Sequence, residues 1–202
     1  MFPIIKEYHV NYLKLLSLKL LFIVPAIASA QNLEKLIKEN IGKRTDTLVQ
    51  FNSDSPYNYM PVTIFSGKEK GHVFTIIAGI HGYEYPPIAA VQELIKEIDP
   101  KKLKGTLIIV PIANIGSFYK RTPFVNPSDN KNLNNAFPGS ETGTITEQIA
   151  NYISKEIIPY SDVFLDIHGG DANEDLLPFV CYYNNTSEEK KTLLSSKLSE
   201  IS

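Results

Sequence analysis

Val73-Phe-Thr-Ile-Ile-Ala-Gly-Ile-His-Gly-Tyr-Glu-Tyr-Pro-Pro-Ile88 passes from an apolar run, through a polar turn bracketed by glycine and proline, into a proline-opened segment. Val, Ile, Thr and Phe over His72–Ile80 predict a strand. Pro86-Pro87 suit the first turn of a helix, whose N–H groups have no intrahelical partner, and the apolar positions of Ile88–Ile98 recur at helical spacing. Asp99-Pro100 closes that helix, because proline disfavours helical backbone in the residue before it. Thr106–Ile112 follows as a nearly unbroken apolar run, expected of a strand covered on both faces. Strand, helix, strand in this order predicts an α/β domain with a mainly parallel or mixed twisted sheet and helices on both faces.

Outward from this unit, Tyr59–Ser66 is a second β-rich run, and the polar Gly67-Lys-Glu-Lys-Gly71 between it and His72–Ile80 predicts a hairpin. Thr144-Ile-Thr-Glu147 fits a capping box opening a helix to about Ile158, ended by Pro159. Val163–Ile167 and Phe179–Tyr183 read as further strands, Gln31–Lys43 as a short amphipathic helix and Ser187–Ser202 as a polar one. Asn114–Gly143 has no periodicity but holds Arg121, three prolines and six asparagines, and a loop of that length inside a domain is usually functional.

The 202 residues are 43% hydrophobic and 21% charged, with 20 Lys plus Arg against 22 Asp plus Glu. A net charge of −2 with only two arginines, Arg44 and Arg121, gives no electrostatic footprint for nucleic acid. One cysteine, Cys181, can form neither an internal disulfide nor a thiolate cluster, and its place in a predicted strand reads as a small buried hydrophobe. No G-x-S-x-G occurs, which removes the usual serine hydrolase elbow.

Residues 1–30 read as a secretory signal peptide: Lys6, Lys14 and Lys19, the run Leu20–Ala28, and Ala28-Ser29-Ala30 as cleavage site. The mature chain then begins at Gln31, is secreted or periplasmic, and has lost His9. It keeps no stable membrane anchor, since the apolar run falls short of the roughly 20 residues a spanning helix needs. Ser187–Ser202 carries no stop signal, so residues 31–202 are expected to be a catalytic domain truncated at its C-terminus.

His81 and His168 each follow a predicted strand, in His81-Gly-Tyr-Glu84 and Asp166-Ile-His-Gly-Gly170. Ligand crevices of open α/β sheets lie beyond the carboxyl ends of the strands, so two neighbouring strands can aim both histidines at one point, and Glu84 reaches it across a tight turn. Two imidazoles and a carboxylate are the protein ligands of a catalytic zinc, with a fourth position left for water whose pKa falls to about 7. One Zn2+ per chain is expected on His81, Glu84 and His168, with Asp166 accepting the other N–H of His168 or holding a neighbouring backbone group. His72, beside a polar turn, reads as a solvated side chain.

Ala78–Pro87, then Arg121–Gly139 ending Asn132-Leu-Asn-Asn-Ala-Phe-Pro-Gly139, then Asp166–Asp171, resemble in order the motifs of the succinylglutamate desuccinylase and aspartoacylase family of zinc carboxypeptidase-like hydrolases. The resemblance spans about residues 58 to 183. It implies a zinc carboxypeptidase-like fold, hydrolysis of an amide by metal-activated water, an acyl-amino acid or small peptide as substrate, and His81, Glu84 and His168 as zinc ligands.

Two positions depart from the pattern. Asn135 stands where the family usually has an arginine that grips a substrate carboxylate. Asn134 matches the family asparagine and either binds substrate or caps a turn, while Arg121 or Lys131 supplies positive charge from the same loop, Arg121 being the stronger candidate for an anion contact and also compatible with a surface ion pair. The family's general-base glutamate and small β-rich carboxyl-terminal domain find no counterpart by residue 202, and Glu174 is the nearby substitute, otherwise a solvated carboxylate. Two functions therefore stand open: a zinc deacylase or carboxypeptidase-like enzyme, and a degenerate relative that binds metal or ligand without turnover.

Overall fold

The computed structural model describes residues 33–200; the signal peptide expected over residues 1–30, with His9, and the two terminal residues of the last predicted helix, lie outside the described residues. In chain order the elements are α1 (Leu33–Glu39), β1 (Lys43–Gln50), β2 (Tyr59–Ser66), β3 (Glu69–Ala78), α2 (Tyr85–Glu97), β4 (Lys104–Val110) and α3 (Ile115–Lys120). There follow the short pair β5 (Val125–Asn126) and β6 (Lys131–Asn132), then α4 (Ile145–Tyr152), β7 (Val163–Ile167) and α5 (Glu189–Glu200). None of these helices is long and apolar enough to cross a membrane.

Five strands form one mixed sheet in the order β1-β2-β4-β3-β7, in which β3 pairs parallel with both β4 and β7. Side chains alternate across it. Ile77, Ile108 and Val110 face one way, into a cluster with Ile145, Ile149 and Ile153 from the α4 side and Leu33 of α1. Ile76, Ala78, Leu107 and Ile109 face the other way, onto Ile88, Val91 and Ile95 of α2. Both faces of β4 are thus covered, which accounts for its uninterrupted apolar sequence.

The expected hairpin is not formed. β4 lies between β2 and β3, pairing antiparallel with β2 and parallel with β3. Gly67 N–H donates to Gly105 O at 2.8 Å, so the chain leaving β2 crosses the start of β4 rather than turning back on itself. Gly105 has φ +93°, and a Cβ there would stand 2.2 Å from His72 O; three backbones meet at a point that only glycine admits. The glycines that resemble a hairpin loop instead permit this crossing, and the apolar β4 takes the doubly paired central position.

Four further points differ from the expectations. Phe179–Tyr183 has no regular structure; Phe179 is 68% and Tyr183 94% exposed, and β propensity without a pairing partner makes no strand. Cys181 is accordingly exposed rather than buried. β1 was not anticipated because its half-buried inward positions are Thr45 and Thr47, which leave no apolar alternation to read. The capping box forms, with Thr144 and Glu147 bonded reciprocally, but the helix relaxes after Tyr152 into a wider turn over Ile153–Ile157 and a tight one over Ile158–Tyr160.

Candidate metal centre

Register brings the two histidines together. Ala78 of β3 pairs with Ile167 of β7, so both chains leave the sheet at the same level, with His168 next in line and His81 three residues on. Between His81 and Glu84 the chain makes a tight turn, Glu84 N–H donating to His81 O at 3.3 Å. Gly82 N–H donates to Ser117 Oγ at 3.1 Å, and a Cβ on Gly82 would lie 2.1 Å from Phe118 N, so the turn nests directly against α3. Glu84 sits where α2 would take an N-cap, yet its side chain makes no capping bond. Its carboxylate points at the histidines instead.

Ligating atoms of His81, Glu84 and His168 all lie within 4.8 Å of one another, close enough to hold one metal ion. His81 Nδ1 is 2.8 Å from Glu84 Oε1, and His168 Nδ1 is 3.1 Å from Oε2. Both rings turn their Nε2 outward to an oxygen acceptor: His81 to Asn132 Oδ1 at 3.1 Å and His168 to Asp166 Oδ2 at 3.0 Å. An acceptor on Nε2 fixes the proton there and leaves the Nδ1 lone pair for a cation, the usual support of a metal-binding imidazole. Asn132 Oδ1 also accepts from Asn134 N–H at 2.8 Å, which ties the asparagine loop to His81.

Titration follows from this geometry. The Asp166 hydrogen bond, then that of Glu84, push His168 up to about 10 despite burial, so without a metal the ring is a cation between two carboxylates. Burial is the largest single influence on His81 and opposes its charge, but the Glu84 bond and charge with the Asn132 bond outweigh it and the net shift is upward. For Glu84 burial acts upward, and the bonds and charges of the two histidines overcome it and hold the carboxyl below its ordinary range. A proton on His168 Nδ1 would compete with a divalent cation for the same position.

Of the other candidate residues, Asp166 makes the contact with His168 described above. Arg121, with φ +54°, borders a shallow surface groove of 370 Å³ shared with Tyr85, Gln92, Phe118 and Tyr119. Lys131 turns to Glu147, Nζ to Oε1 2.9 Å, and that pair, with Thr144, holds Glu147 at about 2. Asn134 and Asn135 are exposed on a short 3-10 turn beside the cluster. Glu174 is engaged in a local turn, its Oε2 accepting from Asp171 N–H at 3.0 Å. His72 is solvent-exposed beside Asp162, at 3.4 Å.

Three contributors escaped sequence reasoning. Asn132 was passed over within its asparagine-rich loop. Phe124 places its ring edge-on to His81, with centroids 5.6 Å apart. Asp171 is 2% exposed; its Oδ2 accepts from Phe124 N–H at 2.7 Å while Oδ1 has no partner. No pattern in a single sequence marks these contacts, because they join segments 43 to 51 positions apart.

An α/β sheet that brings two histidines and a glutamate to the carboxyl ends of adjacent parallel strands defines a class of candidate metal-site proteins. The sequence profile of the succinylglutamate desuccinylase/aspartoacylase catalytic domain matches residues 70–199, and the chain belongs to that family. It is 34% identical, over 142 residues, to the N-alpha-acetyl-L-2,4-diaminobutyric acid deacetylase of Halomonas elongata, a match covering 68% of this chain and 40% of that protein. It is similar to the product-bound structure of the ectoine utilization protein EutE (DoeB) from Ruegeria pomeroyi, with TM-score 0.56, 30% identity, and coverage of 63% of this chain and 40% of that one. The fold is shared with the crystal structure of succinylglutamatedesuccinylase/aspartoacylase from Rhodobacter sphaeroides, with TM-score 0.58, 22% identity, and coverage of 63% and 40%. The chain spans about 40% of the length of these relatives.

Proposed function

We propose that this chain provides the zinc-binding part of a hydrolase that cleaves the amide bond of an N-acyl amino acid or small peptide. The observation that carries the reading is the convergence of His81, Glu84 and His168 within 4.8 Å. Bound there, zinc supplies a Lewis acid for the amide carbonyl and lowers the pKa of a water to about 7. Asn132 and Asp166 hold the rings in the orientation that offers Nδ1, and Glu84 adds the single negative charge of the ligand set. Arg121 is the source of positive charge assigned to a substrate carboxylate, and Asn134 and Asn135, exposed on the turn that Asn132 ties to His81, offer hydrogen bonds. Glu174 has no assigned part in the reaction, because its carboxylate is held in the Asp171 turn.

The 34% identity to a deacetylase supports an acyl-amino acid over a longer peptide. The signal-peptide pattern of residues 1–30 supports export, and with it a substrate met outside the cytoplasm. Asn135, where the family resemblance expects an arginine, favours a second reading in which the site binds metal and ligand without turnover. Amine release from N-acetyl amino acids by the zinc-loaded chain, with and without chelator, separates the two. Chelator-sensitive release supports the hydrolase; stoichiometric zinc binding with no release supports the binding protein.

A further inference from the structure

Phe124 holds a backbone conformation that aromatic residues seldom adopt, φ +60°, while the residue stays 41% exposed with its ring against a candidate metal ligand. The backbone is kept there by a carboxylate: Asp171 Oδ2 receives Phe124 N–H at 2.7 Å. Ser117 Oγ donates to Thr122 O at 2.7 Å and Thr122 Oγ1 to Val125 O at 2.6 Å, closing the loop on both sides of Phe124. Asp171 is 2% exposed and leaves Oδ1 buried without a hydrogen-bond partner among the described residues, a desolvation penalty that its bond to Phe124 does not remove. Strained backbone and an under-satisfied buried carboxylate at one contact mark a position fixed for a purpose other than stability.

We propose that Phe124 is a specificity-determining wall of the substrate site, receiving an apolar group of the substrate, and that Asp171 is the positioning residue that holds it over His81. This rests on the hydrolase reading above. It adds a substrate class: acylated amino acids with an apolar acyl chain or an apolar side chain next to the metal.

The test uses the zinc-loaded full chain and two ligand series, acetyl-, butyryl- and hexanoyl-alanine, and acetyl-alanine, acetyl-leucine and acetyl-phenylalanine, with dissociation constants from calorimetry. In one series affinity rises by up to about fourfold per added methylene, the value of fully buried apolar surface; the responding series identifies which end meets Phe124. Phe124→Ala flattens that gradient, Asp171→Ala flattens it equally, and Asp171→Asn, which keeps an oxygen acceptor, restores it. Zinc affinity, measured by chelator competition, stays within about threefold in all three variants. Hydrogen exchange at the Phe124 amide accelerates in Asp171→Ala and not in Asp171→Asn. A gradient indifferent to Phe124, or unchanged exchange in Asp171→Ala, overturns the inference and leaves the hydrolase reading standing. Zinc-loaded wild-type chain that binds neither series overturns both.

Discussion

Raising the pH should strengthen metal uptake and, without metal, weaken the fold, because one proton on His168 stands in for the cation. His168 is held up to about 10 by Asp166 and Glu84, so at pH 7.5 its ring is charged and Nδ1 carries a proton that must leave before a metal can bind. One proton released gives a tenfold rise in apparent affinity per pH unit, continuing until the ring is neutral near pH 10. His81, also shifted upward, steepens the lower part of the curve. Stability has the opposite sign. A group whose folded pKa exceeds its unfolded value stabilises fully below about 6.5, and that contribution is lost as pH rises through about 10. The His168 side chain is 30% exposed, so solvent screening reduces the contribution to about 1–2 kcal/mol, or roughly 2–8 °C in Tm for a chain of this size. Competition against a chromophoric chelator from pH 6.5 to 9, with thermal melts of the metal-free protein over the same range, reads both effects. Asp166→Asn should move the affinity curve to lower pH by on the order of 1–3 units. A pH-independent affinity, or a metal-free Tm that climbs with pH across this window, would refute the proton-for-metal reasoning.

Asn132→Ala should lower zinc affinity about 10- to 100-fold, as checked by the same competition, and cost about 0.5–2 kcal/mol in thermal melts, since it removes both the acceptor that orients His81 and the cap of the Leu133–Asn135 turn. Gly82→Ala forces a Cβ to within 2.1 Å of Phe118 N and should destabilise by more than about 3 kcal/mol while abolishing stoichiometric zinc binding, followed by circular dichroism and metal analysis. Ile149→Ala, 1% exposed on α4 and away from the cluster, should cost about 2–5 kcal/mol in denaturant melts yet leave one metal per chain at low temperature.

Where the chain alternates between apolar strands and proline- or box-capped helices, its sequence reveals the layers. β4 and α2 follow from their own residues, as does the placement of His81 and His168 at strand ends. Pairing does not follow: the Gly67–Gly71 link suits a hairpin and a crossing equally, and only the packing of β4 between its neighbours selects the crossing. Phe179–Tyr183 shows the converse, β-rich composition that pairs with no strand among the described residues. Within the site, the three candidate ligands are legible because chemistry restricts residue type and each sits at a recognisable turn. Asn132, Phe124 and Asp171 are not, since an asparagine, an aromatic and an aspartate in loops are common everywhere and acquire meaning only through contacts with His81 and with one another.

Elemental analysis of the purified chain after zinc loading and desalting, alongside His81→Ala and His168→Ala, bears most directly on the centre itself. One zinc per wild-type chain, lost in both variants while their far-ultraviolet circular dichroism is retained, is the expected result. Wild-type protein that retains no zinc, or variants that retain it in full, would contradict it.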